Sequence, residues 1–350
     1  MTAAGDRLYV AHGRWCLALD GQSGTRVQRF AAEGDGSLDH GGQFDWGYVS
    51  AGPDRLIGSR QKRDAAYLGD DGEWYEDFDT QQTSRVTSDR LFSLDPVTGV
   101  RRWTYQGGVI LNSTITLADG MILFLESRST AAAAVAGSRV PHELLTEQFL
   151  VALDLKTGKK LWDKGHDLSA CQYMTYLVYS QGTAVVTGTD KDKHFHTFAF
   201  SAPSPERPGG DELESANPGR LLWSDDHKED KGHHSGHLQH PLVIDQVYYS
   251  DQRSFDLRTG KLLRTDLPER RGCGVMSASR RAVFFRHHFQ GMWDLATNKR
   301  TQFEGIRTGC WLGLIPAGGM LLAPESSAGC SCTHAIQTSV GYIPKSLARH

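Results

Sequence analysis

The residues best suited to chemistry form a histidine-rich stretch in the second half of the chain. Five of the fifteen histidines fall within fourteen residues, at His227, His233, His234, His237 and His240. Neutral imidazole is a common ligand of zinc, copper, iron and nickel, so this stretch could bind a transition metal. Acidic residues surround the histidines, and a solvated polar loop is the alternative. If a metal binds, we expect His237 and His240 as ligands, because they enter the following strand.

Four of the six cysteines lie in the last quarter of the chain, at Cys273, Cys310, Cys330 and Cys332. A disulfide within this group is one interpretation. A thiolate metal site, in which Cys310 joins His237 and His240, is a second, although a Cys-x-Cys pair alone is a weak metal signal. Inert buried thiols are the third. We expect a disulfide among the four.

Acid–base catalysis is a further hypothesis. Glu126 and Glu325 could transfer protons beside His240 or Tyr176, but Glu126 precedes Arg128 closely enough to pair with it, which would make its role structural. The sequence contains no glycine-rich phosphate loop, no Gly-x-Ser-x-Gly elbow and no His-Glu-x-x-His motif.

Composition excludes several classes of protein. The net charge is −3, with 38 basic and 41 acidic side chains interleaved, so nucleic acid is not an expected partner. No stretch approaches the roughly 20 apolar residues of a membrane-spanning helix. No secretory signal precedes the first strand-like segment, and this start favours a piece of a longer exported protein, with a cytoplasmic protein as the alternative.

An internal repeat indicates which elements position these residues. The segment Val151–Trp162 (VALDLKTGKKLW) recurs at Phe92–Trp103 (FSLDPVTGVRRW). In each copy an alternating apolar strand ends at an aspartate that can cap the turn, Thr or Ser repeats that role, and glycine supplies the left-handed residue. Weaker copies place turn aspartates at Asp20, Asp256 and Asp294. Each copy therefore predicts a β-hairpin, and two hairpins make one four-stranded propeller blade.

The spacing of the turns predicts an all-β, seven-bladed β-propeller of four-stranded antiparallel blades. At about 40–50 residues per blade, the single domain 1–350 divides into blades at about 1–40, 41–108, 109–168, 169–230, 231–269, 270–306 and 307–350. Three insertions are expected, at about 60–86, 128–147 and 202–219.

The pattern Ala-x-Asp-x-x-Thr-Gly-x-x-x-Trp at Ala152–Trp162 resembles the tryptophan-docking motif of the quinoprotein alcohol dehydrogenase-like (PQQ-like) propellers. In that superfamily the motif joins neighbouring blades. Shorter motifs, such as Phe44–Tyr48 and Gly309–Trp311, resemble the propeller region of large exported planctomycete-type proteins. That resemblance implies a periplasmic or extracellular location, fused or associated modules, and a monomeric propeller. Quinone binding is not expected, because the chain lacks the vicinal Cys-Cys pair of the quinoprotein dehydrogenases.

In a propeller, the first strands of the blades converge at the central channel. The polar and aromatic residues that open these strands are therefore the predicted ligand-binding set, here called the axial candidates: Trp46, Tyr48, Asn112, Ser113, Tyr173, Tyr176, His237 and His240. Convergent polar groups in one concavity are the usual mark of a binding site. A hydrogen-bonded, water-filled plug is the alternative.

These observations predict a module that binds a ligand, such as a glycan or a metal ion, or a protein partner, within a larger exported bacterial protein. The alternative is a metal-assisted lyase or hydrolase acting on polysaccharide through His237, His240 and Tyr176. A third hypothesis is a protein scaffold resembling the outer-membrane assembly propellers.

Overall fold

The computed structural model describes residues 1–32, 44–63, 84–206, 217–228, 240–250, 252–270, 274–303, 308–309, 312–324 and 338–344. Six candidates lie outside these ranges: His237, Cys273, Cys310, Glu325, Cys330 and Cys332. The described residues are almost entirely strands and turns. Their α-helix, α1 (Thr130–Ala133), is a single turn capped by the side chain of Ser129. None of the helices in this part of the chain is long and apolar enough to cross a membrane.

The described residues contain thirty strands. The first fifteen are β1 (Thr2–Ala4), β2 (Arg7–His12), β3 (Trp15–Asp20), β4 (Arg26–Ala31), β5 (Phe44–Ala51), β6 (Leu56–Lys62), β7 (Ser84–Ser88), β8 (Arg90–Leu94), β9 (Arg101–Tyr105), β10 (Val109–Leu111), β11 (Thr116–Ala118), β12 (Met121–Ser127), β13 (Arg139–Pro141), β14 (Gln148–Asp154) and β15 (Lys160–Gly165). The others are β16 (Thr175–Ser180), β17 (Thr183–Thr189), β18 (His194–Ser201), β19 (Leu221–Lys228), β20 (Leu242–Ile244), β21 (Val247–Ser250), β22 (Arg253–Asp256), β23 (Leu262–Arg264), β24 (Ser277–Ala278), β25 (Ala282–His287), β26 (Phe289–Asp294), β27 (Lys299–Phe303), β28 (Ile315–Ala317), β29 (Met320–Ala323) and β30 (Val340–Tyr342).

The strands form antiparallel sheets in which neighbours along the chain are usually neighbours in the sheet. Five sheets have four strands, in the orders β1-β2-β3-β4, β5-β6-β8-β9, β16-β17-β18-β19, β20-β21-β22-β23 and β24-β25-β26-β27. This is the meander expected of propeller blades, and the protein is an all-β β-propeller. The predicted fold class is confirmed at this level.

The third sheet differs from the predicted four strands. It contains seven, because β10, β12, β14 and β15 are joined by β11, β7 and β13. Val86 of β7 pairs with Arg139 of β13, and Thr87 of β7 pairs with Leu111 of β10. Strand β7 begins inside the region predicted as the first insertion, and β13 lies inside the region predicted as the second. The two insertions therefore pair with one another and extend this blade.

The predicted number of blades is wrong. In the ranges that the structure describes, six sheets have at least four strands, whereas the last sheet has three, in the order β28-β29-β30. The structure therefore shows six complete blades, not seven. The seventh was counted from chain length, because the segment after residue 306 has no copy of the aspartate turn.

The chain divides into two compact units. Unit 1 comprises Met1–Leu177 and Phe200–Arg220, and unit 2 comprises Val178–Ala199 and Leu221–His350. In unit 1, Phe92 and Phe124 belong to two apolar clusters and are fully buried. In unit 2, Tyr248 and Trp293 belong to two others. Each unit thus has its own apolar core.

The repeat turns form as their sequences predict. Asp154 Oδ1 accepts hydrogen bonds from the backbone N–H of Thr157 at 2.7 Å and from its hydroxyl at 2.6 Å. Glycine follows at Gly158 with a φ of +67°, and the copy that lacks glycine has Asn298 at +57°. Both residue types tolerate the left-handed conformation. The aspartate sets the turn, and the left-handed residue lets the chain reverse.

Two tryptophans show the docking that the repeat predicts. Trp103 Nε1 donates to Leu155 O at 3.3 Å, and Trp223 Nε1 donates to Leu257 O at 2.9 Å. Each acceptor is the residue after a turn aspartate in the next sheet. A Cβ on Gly158 would lie 2.5 Å from the Trp103 ring, so glycine is required where the ring packs. Trp162, in the intact motif, has a buried Nε1 without a hydrogen-bond partner among the described residues.

Candidate ligand-binding site

Six of the eight axial candidates lie in the described part of unit 1. Trp46, on β5, is 4% exposed and packs edge to face on Phe92, with ring centroids 5.0 Å apart. Its Nε1 donates to Phe30 O at 3.2 Å. Tyr48, two residues on, packs against the neighbouring apolar cluster, and burial raises the pKa of its phenol. The structure thus places Trp46 in the core of the first two sheets.

Asn112 lies in a compact polar group. It begins the 3-10 turn Asn112–Thr114, and its Nδ2 donates to Gln61 Oε1 at 3.4 Å. A Cβ on Gly47 would lie 2.6 Å from Asn112 Nδ2 and 2.7 Å from the hydroxyls of Ser59 and Ser88, so the missing side chain of Gly47 leaves room for all three. We call Gly47, Ser59, Gln61, Ser88 and Asn112 the Asn112 cluster.

One polar atom of this cluster has no partner among the residues that the structure describes. Ser88 Oγ donates to Ser59 Oγ at 2.8 Å, and both serines are buried. Asn112 Oδ1 is buried and accepts no hydrogen bond from any residue that the structure describes. A buried amide oxygen without a donor is uncommon in proteins and requires an explanation. A ligand that donates a hydrogen bond is one such explanation.

A second polar group surrounds Arg85 of β7. Its side chain is 6% exposed, and its Nη2 donates to the backbone carbonyls of Cys171, at 3.2 Å, and Gln172. Burial lowers the pKa of this guanidinium to about 10. The thiol of Cys171 and the phenol of Tyr176 raise that pKa, but by less than burial lowers it. We call Arg85, Cys171, Gln172 and Tyr176 the Arg85 cluster.

The charge of Arg85 is not neutralised within the described residues. No carboxylate among them lies within ion-pair distance of its guanidinium, and its Nε is buried without an acceptor. Two carbonyl oxygens satisfy individual N–H groups but carry no net charge. A buried cation without a counterion is costly, so such a group usually has an anionic partner.

Ser113 connects the two clusters. It follows Asn112, and its Oγ donates to Thr175 O at 2.7 Å, next to Tyr176. Unlike its neighbours, Ser113 is exposed. Tyr173 is largely buried at 9% exposure. Burial raises the pKa of Tyr176 to about 12, so its hydroxyl stays protonated at neutral pH and can serve as a hydrogen-bond donor.

In unit 2, His240 precedes β20 and has its Nδ1 2.9 Å from Pro241 O. Burial lowers its pKa, so the ring is neutral at neutral pH. His227 is a core residue: it stacks on Phe195 and has Nδ1 2.6 Å from Asp225 Oδ2. Within the described ranges, no three histidine, cysteine or acidic side chains are arranged to hold a metal ion. The metal prediction rests on His237 and Cys310, which lie outside those ranges.

Glu126 has the structural contacts that its proximity to Arg128 suggested. Its carboxylate is fully buried and accepts hydrogen bonds from Tyr105 Oη at 2.9 Å, Gly108 N at 3.0 Å and Arg128 Nε at 2.9 Å. Arg128 also pairs with Asp163.

Sequence reasoning missed Arg85, because it falls in a region predicted as an insertion. The available signal was the alternating segment Ser84–Ser88, which pairs with the next sheet.

Comparison with known proteins supports the fold. No family model matches the chain, and no curated protein does. Among solved structures, BamB from Moraxella catarrhalis is 13% identical, with a TM-score of 0.48, over 93% of this chain and 80% of that one. The computationally designed Ika8 protein is 12% identical, with a TM-score of 0.51, over 91% and 77%. A chain of the mitotic checkpoint complex is 10% identical, with a TM-score of 0.50, over 92% and 81%.

Proposed function

We propose that this protein is a binding module that takes up an anionic group of a ligand or protein partner at the Arg85 and Asn112 clusters. The observation that carries the proposal is Arg85, a buried guanidinium without a carboxylate among the described residues. A carboxylate placed against its unused Nε would neutralise the charge and satisfy the donor.

The neighbouring groups suit the rest of such a ligand. The Tyr176 phenol, whose pKa of about 12 keeps it protonated, adds a polar, uncharged group beside the guanidinium of Arg85. The unpartnered Oδ1 of Asn112 can accept one from a ligand hydroxyl or amide. Polar groups beside the cation, together with a nearby acceptor, would orient the ligand as well as increase its affinity. Exposed Ser113 lies between the two clusters.

The test compares acetate with acetamide, its uncharged near-isostere, at constant ionic strength. We expect acetate to raise the melting temperature of the wild-type protein more than acetamide does. Arg85→Met should abolish this difference, whereas Arg26→Met, which removes an exposed arginine of β4, should retain it. Arg85→Lys should keep part of the difference, because the charge remains. Equal responses to the two compounds, or an unchanged difference in Arg85→Met, would contradict the proposal.

The described residues favour binding over the lyase alternative. A catalytic tyrosine that accepts a proton needs a pKa near neutrality, but burial raises that of Tyr176 to about 12. The carboxylate of Glu126 is occupied by three donors. The scaffold hypothesis is the case in which the anionic group belongs to a protein partner. The exported context remains a prediction from the motifs that resemble exported proteins.

A further inference from the structure

A cavity of about 410 Å³ lies in unit 1, where the two paired insertions meet the third sheet. Its wall runs from Lys62 at the end of β6, past Ser88 and Asp89, to Ser127, Arg128 and Ser138. It does not include Arg85, Asn112 or Tyr176. Its volume falls in the range of about 300–1,000 Å³ that is typical of small-molecule sites. Insertions on a regular scaffold are where binding sites commonly arise.

Hydroxyl groups dominate the polar part of the wall, from Thr87, Ser88, Ser127, Ser129, Thr130 and Ser138. Most have a structural partner: Thr87 Oγ1 donates to Ser138 O at 2.9 Å, and Ser129 Oγ caps α1. Ser138 differs from them because it is buried and, in the described part of the chain, unpartnered. It is 1% exposed, and its Oγ has no hydrogen-bond partner in the described residues. Ser138 belongs to the wall, and its unpartnered hydroxyl is a group with which a polar occupant could form a hydrogen bond.

The charges of the wall do not balance. Asp89 pairs with Arg60, and Arg128 pairs with Glu126 and Asp163. Lys62 Nζ donates to Ala133 O at 3.3 Å and to Val135 O, both backbone carbonyls, and no described carboxylate lies within ion-pair distance of it. Two cations and one carboxylate therefore line the cavity, and the excess positive charge is that of Lys62.

We propose that this cavity binds a small hydroxylated carboxylate, of the chemical class of the sugar acids. Lys62 pairs with the carboxylate. Ser138 and the neighbouring hydroxyls, which can both donate and accept, bind the hydroxyl groups of the ligand. A neutral sugar lacks the charge that Lys62 requires, and a simple anion lacks the hydroxyls that satisfy Ser138. The cavity shares Ser88 with the Asn112 cluster but contains no residue of the Arg85 cluster, and the proposal does not depend on the function proposed for Arg85.

Calorimetric titration tests the proposal with D-glucuronate, D-glucose and acetate. Glucuronate should bind the wild-type protein about tenfold or more tightly than glucose, because a charge-assisted hydrogen bond is added. Lys62→Met should remove the preference for glucuronate over glucose, and Ser138→Ala should weaken both sugars by several-fold. The control Lys156→Met, which removes an exposed lysine elsewhere in unit 1, should leave all affinities unchanged.

The other outcomes are equally informative. Equal binding of glucuronate and glucose, acetate binding as tightly as glucuronate, or no binding of any of the three overturns the proposal. Lys62→Gln removes the charge but keeps a polar side chain, and it should also lose the preference for glucuronate. Unfolding curves of each variant show whether a loss of affinity reflects a loss of fold. The same titrations in Arg85→Met, where the carboxylates of acetate and glucuronate cannot bind at the Arg85 cluster, should retain the preference for glucuronate over glucose and acetate, so the two proposals fail independently. Titration with methyl β-D-glucuronide distinguishes the source of the ligand. If this glycoside binds as tightly as glucuronate, the natural ligand is the uronate end of a glycan. If it does not bind, the natural ligand is a free sugar acid.

Discussion

Cys16 and Cys171 show how burial controls the chemistry of individual side chains in this protein. Both thiols are buried, and burial raises the pKa of each to about 12. At Cys171 the guanidinium of Arg85 acts in the opposite direction without reversing the effect. Since the thiolate is the nucleophile, both cysteines should be chemically inert in the folded protein.

We therefore expect Cys16 and Cys171 to resist iodoacetamide at pH 8 in the native protein and to react fully in denaturant. Mass spectrometry of the tryptic peptides checks each cysteine separately, so the four cysteines outside the described residues do not interfere. Rapid alkylation of the Cys171 peptide under native conditions would show that the Arg85 cluster is more open than the structure indicates.

The sequence predicted part of the candidate site and missed the rest for identifiable reasons. Asn112, Ser113 and Tyr176 were selected because the repeat predicted them at the start of inner strands; the structure places Asn112 and Ser113 in the 3-10 turn after β10, and Tyr176 in β16. Arg85 and Ser138 lie in regions predicted as insertions, where no repeat assigns positions. Nor could the sequence predict that Trp46 lies within the core, because an indole suits a binding site and an apolar cluster equally well.

At the scale of elements, the difference between Trp162 and the other docking tryptophans has a structural cause. Trp103 and Trp223 donate to the residues that follow Asp154 and Asp256, in turns of the repeat type. The sheet that follows Trp162 has no copy of that turn; Gly219 lies beside the Trp162 ring instead. The docking motif therefore depends on the turn of the next blade as much as on its own tryptophan.

This difference predicts the effects of three matched substitutions. Trp103→Phe and Trp223→Phe each lose an indole hydrogen bond, whereas Trp162→Phe removes a buried N–H that has no partner in the described part of the chain. We expect the first two variants to lose about 1 kcal/mol more of the free energy of unfolding than Trp162→Phe does. Urea denaturation measures the three values. Equal losses would show that packing of the ring alone stabilises the junctions.

The turns themselves were predictable because their signals are local. An aspartate, a threonine or serine and a left-handed residue within five positions specify the hairpin at Asp154 and at Asp256. The pairing of β7 with β13 is different, because about fifty residues separate the two strands and neither carries a turn motif. Long-range pairing of this kind depends on the packed structure around it, which a single sequence does not display.

At the scale of the whole molecule, the error in the blade count shows the same limit. Length divided by repeat size gave seven blades, but only the segments with an aspartate turn, or with a clear hairpin, supplied four strands. Two solved structures align with more than 90% of this chain at 10–12% identity, with TM-scores of 0.50 and 0.51, so the fold recurs without detectable sequence similarity. Strand content follows from local hydrogen-bonding signals more reliably than from length.

The pH dependence of stability is also a property of the whole molecule, because groups in both units contribute to it. Hydrogen bonds from the turns lower the pKa of Asp20, Asp256 and Asp294 in the folded state. Burial lowers the pKa of His142, His166 and His240. In every case the unfolded chain binds protons at a higher pH than the folded chain does. Stability must therefore fall as the pH falls, over two different windows.

For the histidines, stability is complete above the unfolded pKa of about 6.5 and declines below it, because unfolding releases rings that can then take up a proton. For the aspartates, the loss begins near pH 4. We expect the melting temperature to be constant from pH 8 to 7, to fall below about pH 6.5, and to fall again below about pH 4.

The combined substitution of His142, His166 and His240 by glutamine should reduce the first decline and leave the second, whereas His12→Gln, at an exposed position, should change neither. Scanning calorimetry in buffers of matched ionic strength measures the profile. An unaltered first decline in the triple variant would assign it to other groups and would show that burial does not hold these three rings neutral.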